Sequence, residues 1–530
     1  MWTDLRAAPP PRRRPAARRP LLLLAGLLAG GALFPDDSAG QARVPLSAID
    51  WLSDSLSTPI APPRAPSSAP LSPQSRHGGD VTVSPLSGTS ADAVGILPAA
   101  GLPAGLWGKS RTEDLIFWLS AERPELLPAM RDLLYTLLLA ELEPPSDAGP
   151  DARLLLARID RLLVLGALPQ AGELLESAGQ DSPSLFRRAF DIALLLRRED
   201  AACARLRARP ALSPTFPARI FCLARGGDWN AAALSLEVGS ALGHIPVAER
   251  ELLARFLDPL LFENAPRLPP PERMSPLKFR LLEAIGEPLP TAGLPVAFAW
   301  ADLDHTSGWK NQIEAAERLV RNGALDPNRL LGLYTERRPA ASGGIWERVS
   351  RIQALEGALA RSDARSVGEA LAPAWEAMRA AELEIAFAQL FAHRLARLEL
   401  PGAAARLAFE IGLLSDRYKA VAAARSPEGE RAALLRALAL GRPGPVQAAE
   451  PLAAALQDGF RAEGIPLRLR ALAEGGRLGE AILRAIELMN SGAQGELDEL
   501  SDAIAFFRAV GLEDTARRAA LQILILERRG

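Results

Sequence analysis

Lysine is nearly absent from this chain: only Lys109, Lys278, Lys310 and Lys419 among its 61 basic residues are lysine, and the rest are arginine. With alanine and leucine also dominant, that bias points to a GC-rich bacterial genome. Histidine is equally scarce. His77, His244, His305 and His393 stand singly, without the i,i+4 spacing or nearby cysteines of a zinc site. No Gly-x-Ser-x-Gly elbow occurs, and no Ser-Asp-Asn or Lys-Thr-Gly accompanies the Ser-x-x-Lys at Ser275–Lys278. "GLPAGLWGKS" (101–110) misses the phosphate-binding loop because Pro103 stands where a glycine is required. Asp302–His305 ("DLDH") offers carboxylates to a cation, but acids in a polar turn are ordinarily solvated. No cofactor is called for.

Long apolar runs are missing too. The longest candidate, Leu21–Phe34, has 14 residues, a helix of about 21 Å against a hydrocarbon core of roughly 30 Å. Arg6, Arg12, Arg13, Arg14, Arg18 and Arg19 precede it, and Gly40-Gln41-Ala42 offers small residues after it. Charged flank, short apolar stretch and small-residue site predict a secretory signal peptide over residues 1–42, with an uncleaved anchor as the alternative. The expected address is the periplasm. Removal of residues 1–42 moves the formal charge from −2 to −5, against the basic balance of a nucleic-acid binder.

Residues 43–109 are rich in proline, serine and alanine ("TPIAPPRAPSSAPLSPQSRHGGD"), a composition that disfavours a packed core. Within them "SAIDWLSDSL" carries Ser47 and Asp50 at capping-box spacing and Ile49, Trp51, Leu52 and Leu56 as an apolar set. "DVTVSPL" alternates like a short strand. Either piece docks on the protein's own body or serves as a docking motif for a partner.

From Thr112 onward the pattern is helical with short turns. Turns at Gly166, Arg198 and Gly227 recur about every 30 residues, the period of stacked helical hairpins. "GGDWNAA", "GGRLGEA" and "VGLEDTA" resemble the turn of tetratricopeptide-type repeats: a glycine ends one helix, and Ala232, Ala481 or Ala516 lets the next pack closely. The resemblance implies an all-α fold, an α-solenoid of antiparallel hairpins, each stabilised by its neighbours. Its expected parts are a helical-repeat array over 110–265, a Pro/Gly-interrupted helical joint over 266–345 and a second array over 346–530. The stretch "GWKNQIEAAERLVRNGALDPNRLLGLYTERRPAASGG" is similar to exported alphaproteobacterial proteins, which supports the compartment and implies no chemistry.

The two cysteines, Cys203 and Cys222, lie on successive helices on either side of a turn, at similar heights if the helices are antiparallel. In an oxidising compartment they form a disulfide; the alternative is a pair of buried thiols. Arg187-Arg188, Arg197-Arg198 and Arg517-Arg518 are expected on wet helix faces. Trp229, Trp300, Trp309, Trp346 and Trp375 are either core or anchors for a partner. The functional expectation is a non-enzymatic scaffold or adaptor that binds a protein or peptide partner in the cell envelope. The rival expectation is cell-wall remodelling, since such a solenoid resembles the helical superhelix of soluble lytic transglycosylases. The Gly-Leu-Met-Gln stretch of their catalytic domain is absent.

Overall fold

A computed structural model describes residues 90–98, 101–121, 126–213, 215–339, 341–424, 429–444 and 448–527, all within the unit Ser47–Gly530. The signal-peptide residues 1–42, the candidates Ile49, Trp51, Leu52 and Leu56, and the "DVTVSPL" stretch lie outside the described residues. The described fold is all-α, with no strand and one isolated parallel bridge, Leu97–Ala140. Among the described residues no helix is long and apolar enough to cross a membrane.

The first helices are α1 (Thr112–Ser120), α2 (Pro128–Leu139), α3 (Arg153–Val164), α4 (Leu168–Ala178), α5 (Pro183–Leu195), α6 (Glu199–Ala208), α7 (Phe216–Arg225), α8 (Trp229–Ala241) and α9 (Val247–Leu257). The proline-interrupted middle adds α10 (Pro276–Ala284), a 3₁₀ stretch at Val296–Leu303, α11 (Trp309–Arg321) and α12 (Pro327–Glu336). Then follow α13 (Gly344–Ala360), α14 (Ala364–Arg379), α15 (Glu384–Leu395), α16 (Gly402–Leu413), α17 (Tyr418–Ala424) and α18 (Glu430–Ala439). The last helices are α19 (Pro451–Arg461), α20 (Leu467–Glu474), α21 (Leu478–Ala493), α22 (Leu497–Ala509) and α23 (Glu513–Leu526).

Consecutive helices pack against each other, most extensively α7 on α8, α13 on α14 and α21 on α22. The three quoted turns share one construction. Gly227, Gly476 and Gly511 take φ of +85°, +77° and +86°, a conformation that costs glycine no steric clash. Five residues after each, Ala232, Ala481 and Ala516 are fully buried, where a larger side chain would force the helices apart. Asp228 adds a cap, accepting from the Ala231 amide at 3.1 Å.

Neighbour-to-neighbour packing is not the whole arrangement. α2 packs on α23 and α1 on α21, so the first and last helices meet. The Lys109 amide donates to the Gly476 carbonyl (2.9 Å), the Gly479 amide to the Leu106 carbonyl (2.9 Å) and the Ala129 amide to the buried Gln522 side chain (2.8 Å). The composition of α23 explains why. Ala519, Ala520 and Leu521 through Leu526 are all buried, too apolar for the open end of a linear stack. The tail of the proline-rich segment joins this seam. Leu102, Leu106 and Trp107 are buried, unlike the core-free segment expected there. The indole of Trp107 fits because residue 479 is glycine: an added Cβ would stand 2.5 Å from the ring.

The main core runs from Leu102 to Leu526 and includes the middle segment through Ala297, Phe298 and Leu319. A second, smaller cluster gathers residues of α5 to α10, including Phe186, Phe190, Phe221 and both cysteines.

Candidate docking surface

The smaller cluster is built around a covalent tie. Cys203 on α6 and Cys222 on α7 are bonded, with Cα atoms 4.9 Å apart and both side chains buried. Next to it an aromatic series crosses the helices. Phe190 on α5 meets Phe221 on α7 (centroids 6.4 Å), which stacks on Phe256 of α9 (5.7 Å), which in turn touches Trp229 of α8 (6.2 Å). The bond closes a loop of 19 residues, worth about 3 kcal/mol. Reduction, or the Cys203→Ala/Cys222→Ala double variant, is expected to raise amide exchange in α6–α9 by that amount. Amides of α21–α23, which belong to the other cluster, should keep their protection.

The α7–α8 hairpin holds out a face that no described residue covers. One side of α8 is core: Ala232, Leu236 and Gly239 are buried. On the other side Leu234, Val238 and Leu242 follow one another at four-residue intervals and are 67%, 43% and 62% exposed. Val247, at the start of α9, is also fully open to solvent. Ala233 and Ala241 fill the same exposed side, and its one charge, Glu237, pairs with Arg250 at 3.7 Å. Helices apolar on both sides are normally buried, and a contiguous exposed apolar strip marks an interaction surface. Trp229, at the start of the same helix, is 49% exposed.

The other tryptophans are structural. Trp300 donates to the Gly166 carbonyl (2.6 Å) and Trp309 to that of Leu333 (2.9 Å). Trp346 packs on Trp309 (4.9 Å) and Trp375 is buried against Phe387. The arginine pairs, expected on wet helix faces, are not uniformly exposed. Arg188 is buried and grips Asp160 with two nitrogens (2.5 and 2.6 Å). Arg197 pairs with Glu283 and Asp304. Arg517 and Arg518 pair with Glu513 and Asp514 one turn earlier. Burial there is stabilised by the fork geometry that matches a carboxylate.

The chemical near-misses resolve into structure. Ser275 caps α10 by accepting from the Lys278 amide (3.3 Å), and Lys278 pairs with Glu249 (2.9 Å). Asp302 accepts from Thr291, and Asp304 accepts from the Thr306 amide (3.0 Å). No group of three or more His, Cys, Asp or Glu side chains suited to a metal is gathered among the described residues. A Glu-Ser pair occurs at Glu176-Ser177, but both residues are exposed on the last turn of α4.

One cleft carries a perturbed acid. A cavity of about 320 Å³ lies between α2, the α11–α12 turn and the start of α15, lined by Arg131, Asp132, Arg321, Asp326, Glu382 and Gln389. Asp132 keeps contact with solvent at the mouth but is hemmed in by protein. That burial raises its carboxyl above the usual range, with Arg131 and Arg518 pulling the other way. Its companions have other tasks. Asp326 caps α12 (Asn328 amide, 2.7 Å), and Glu382 leans toward Arg321 (3.8 Å).

No protein-family model, curated protein or solved structure matches the chain. The surface therefore has to be read from its own residues.

Proposed function

We propose that this protein is an exported, non-enzymatic scaffold: an α-solenoid of tetratricopeptide-like hairpins that binds a protein or peptide partner in the periplasm. The observation that carries the reading is the Leu234–Val238–Leu242 strip. Its natural occupant is an amphipathic helix that lays an apolar face along it. The glycine–alanine turns support the hairpin kinship. A disulfide of buried cysteines suits an oxidising compartment.

A photo-crosslinker at Val238, introduced in the native host, tests this. The expected result is one reproducible adduct, absent when the crosslinker sits at Glu430 on α18. Leu234→Glu/Val238→Glu should weaken that partner's binding at least tenfold. Because both side chains are exposed, stability should change by no more than about 0.5 kcal/mol. No adduct at Val238, or undiminished binding by the double variant, would remove the strip from the reading.

A second reading, peptidoglycan remodelling, has one observation in its favour. Crowding by protein shifts the Asp132 carboxyl upward, the direction a general acid needs. Hydrolysis of a glycosidic bond also takes a second carboxylate across the bond. The acid that interacts with Asp132 is Asp416, itself paired with Arg518 at 3.2 Å. Clearing on a peptidoglycan zymogram, lost in Asp132→Asn, would establish this reading over the first.

A further inference from the structure

We propose that the groove between α15, α16 and α17 binds the free carboxylate end of a peptide with small apolar side chains. Three cationic or donor groups converge at its mouth. His393, on the last turn of α15, has Arg397 Nη2 at 2.8 Å from Nε2 and Arg417 Nη1 at 2.5 Å from Nδ1. A neutral imidazole has one N–H and one lone pair, and a protonated one has no lone pair. At least one guanidinium N–H therefore points at another N–H, an arrangement that lacks its acceptor.

No carboxylate among the described residues stands within ion-pair distance of these three side chains. Asp416, beside Arg417 in sequence, turns to Arg518 at 3.2 Å, and Glu410 on α16 pairs with Arg431 at 3.3 Å. These two acids are thus committed elsewhere. The carbonyl ends of α15 and α16 favour positive charge nearby, which lets the cluster persist while leaving the anion position open. Two guanidiniums on either side of one point match the two oxygens of a carboxylate.

The neutral part of the ligand is set by the floor. Behind the arginines lies a space of about 350 Å³ floored by Ala392, Ala396, Ala408, Gly412 and Val421. Gly412 is what lets α17 come so close, since a Cβ there would stand 2.9 Å from Val421. Methyl-sized groups fit against such a floor, whereas a bare phosphate would leave it empty. The groove is separate from the α8 strip, and the inference stands whether or not that strip binds a partner.

Calorimetric titration of the full chain with acetyl-Ala-Ala tests this, with its C-terminal amide and inorganic phosphate as comparison ligands. The free acid is expected to bind at least tenfold more tightly than the amide, the loss that follows when a charge-assisted pair of hydrogen bonds is removed. Arg397→Gln and Arg417→Gln should each weaken binding at least tenfold. Arg417→Lys should recover only part of it, and Arg431→Gln should change nothing. All three positions are open to solvent, so the variants should melt like the parent; this is checked by circular dichroism. Leu234→Glu/Val238→Glu should bind the dipeptide normally, which separates this site from the scaffold reading. Equal affinity for acid and amide, indifference to both arginine changes, or no detectable heat with the dipeptide would overturn the proposal. Phosphate binding as tightly as the dipeptide would overturn its peptide part.

Discussion

Arg158→Met is expected to detach residues 90–97 from the helical body and to cost about 4 kcal/mol, the loss that follows when several buried carbonyls lose their donor together. Arg158 is 1% exposed. Its nitrogens donate to four carbonyls: Leu138 (2.8 Å), Ala140 (2.9 Å), Val94 (2.8 Å) and Asp92 (3.3 Å). Two of these end α2, where helical carbonyls have no partner of their own. The other two belong to the segment that enters from the proline-rich tail. That segment is also held by the Ile96 and Leu97 amides on the Leu139 carbonyl and by Asp92, which accepts from the Leu155 amide (2.7 Å) at the start of α3.

Burial lowers the Arg158 guanidinium to about 10, with Asp92 opposing the shift. A basic group whose folded value lies below its unfolded one is destabilised by its charge at neutral pH. What favours arginine at this position is therefore the set of bonds to four carbonyls, and the net charge works against it. Methionine keeps the apolar stem and leaves all four acceptors dry. Amide exchange at Ile96 and Leu97 should rise by the full amount, and a denaturant titration should show the same loss. Arg158→Met/Asp92→Asn distinguishes the causes. If carbonyl satisfaction dominates, removing the acid's charge restores little. Recovery of most of the stability would instead identify the stranded Asp92 charge as the cost.

Much of the fold is legible in the sequence, and the reasons are local. Gly227, Gly476 and Gly511 announce left-handed turns because other side chains adopt that conformation at a cost. The alanines five residues on announce close contact. Long-range pairing carries no such mark. Nothing near Gly479 says that its missing side chain makes room for Trp107, 372 residues earlier in the chain. Arginine reads as a surface residue, so the buried Arg158 and Arg188 are invisible until their carbonyls and carboxylate are placed around them. The α8 strip is hidden for the opposite reason. A helix with apolar residues on both sides reads as core, and only the absence of a neighbour among the described residues beyond Leu234 and Val238 turns it into a surface. The Arg397–His393–Arg417 cluster joins residues from two helix ends that no spacing rule connects.

Glu317→Ala is expected to cost about 3–5 kcal/mol, the loss that follows when one member of a buried ionic network is removed. Glu317 on α11 is buried and accepts three bonds: from the Tyr334 hydroxyl of α12 (2.7 Å) and from Arg348 of α13 (2.8 and 2.6 Å). One carboxylate thus ties three successive helices, the last of which opens the C-terminal half. Burial, with the Glu317 charge beside it, holds the Tyr334 hydroxyl well above its usual titration range, so it remains a donor through the working pH range. The alanine variant strands a partly buried guanidinium and a buried phenol at once. Tyr334→Phe removes one neutral donor while the arginine fork stays satisfied, so its loss should be nearer 1 kcal/mol. Denaturant midpoints of the two variants and of Glu317→Leu/Arg348→Leu separate charge from packing. If the penalty comes from the unpaired arginine, the double leucine variant regains most of what alanine loses. If the double variant is no more stable than Glu317→Ala, the join between α11 and α13 depends on the shape of the network and not on its charge balance.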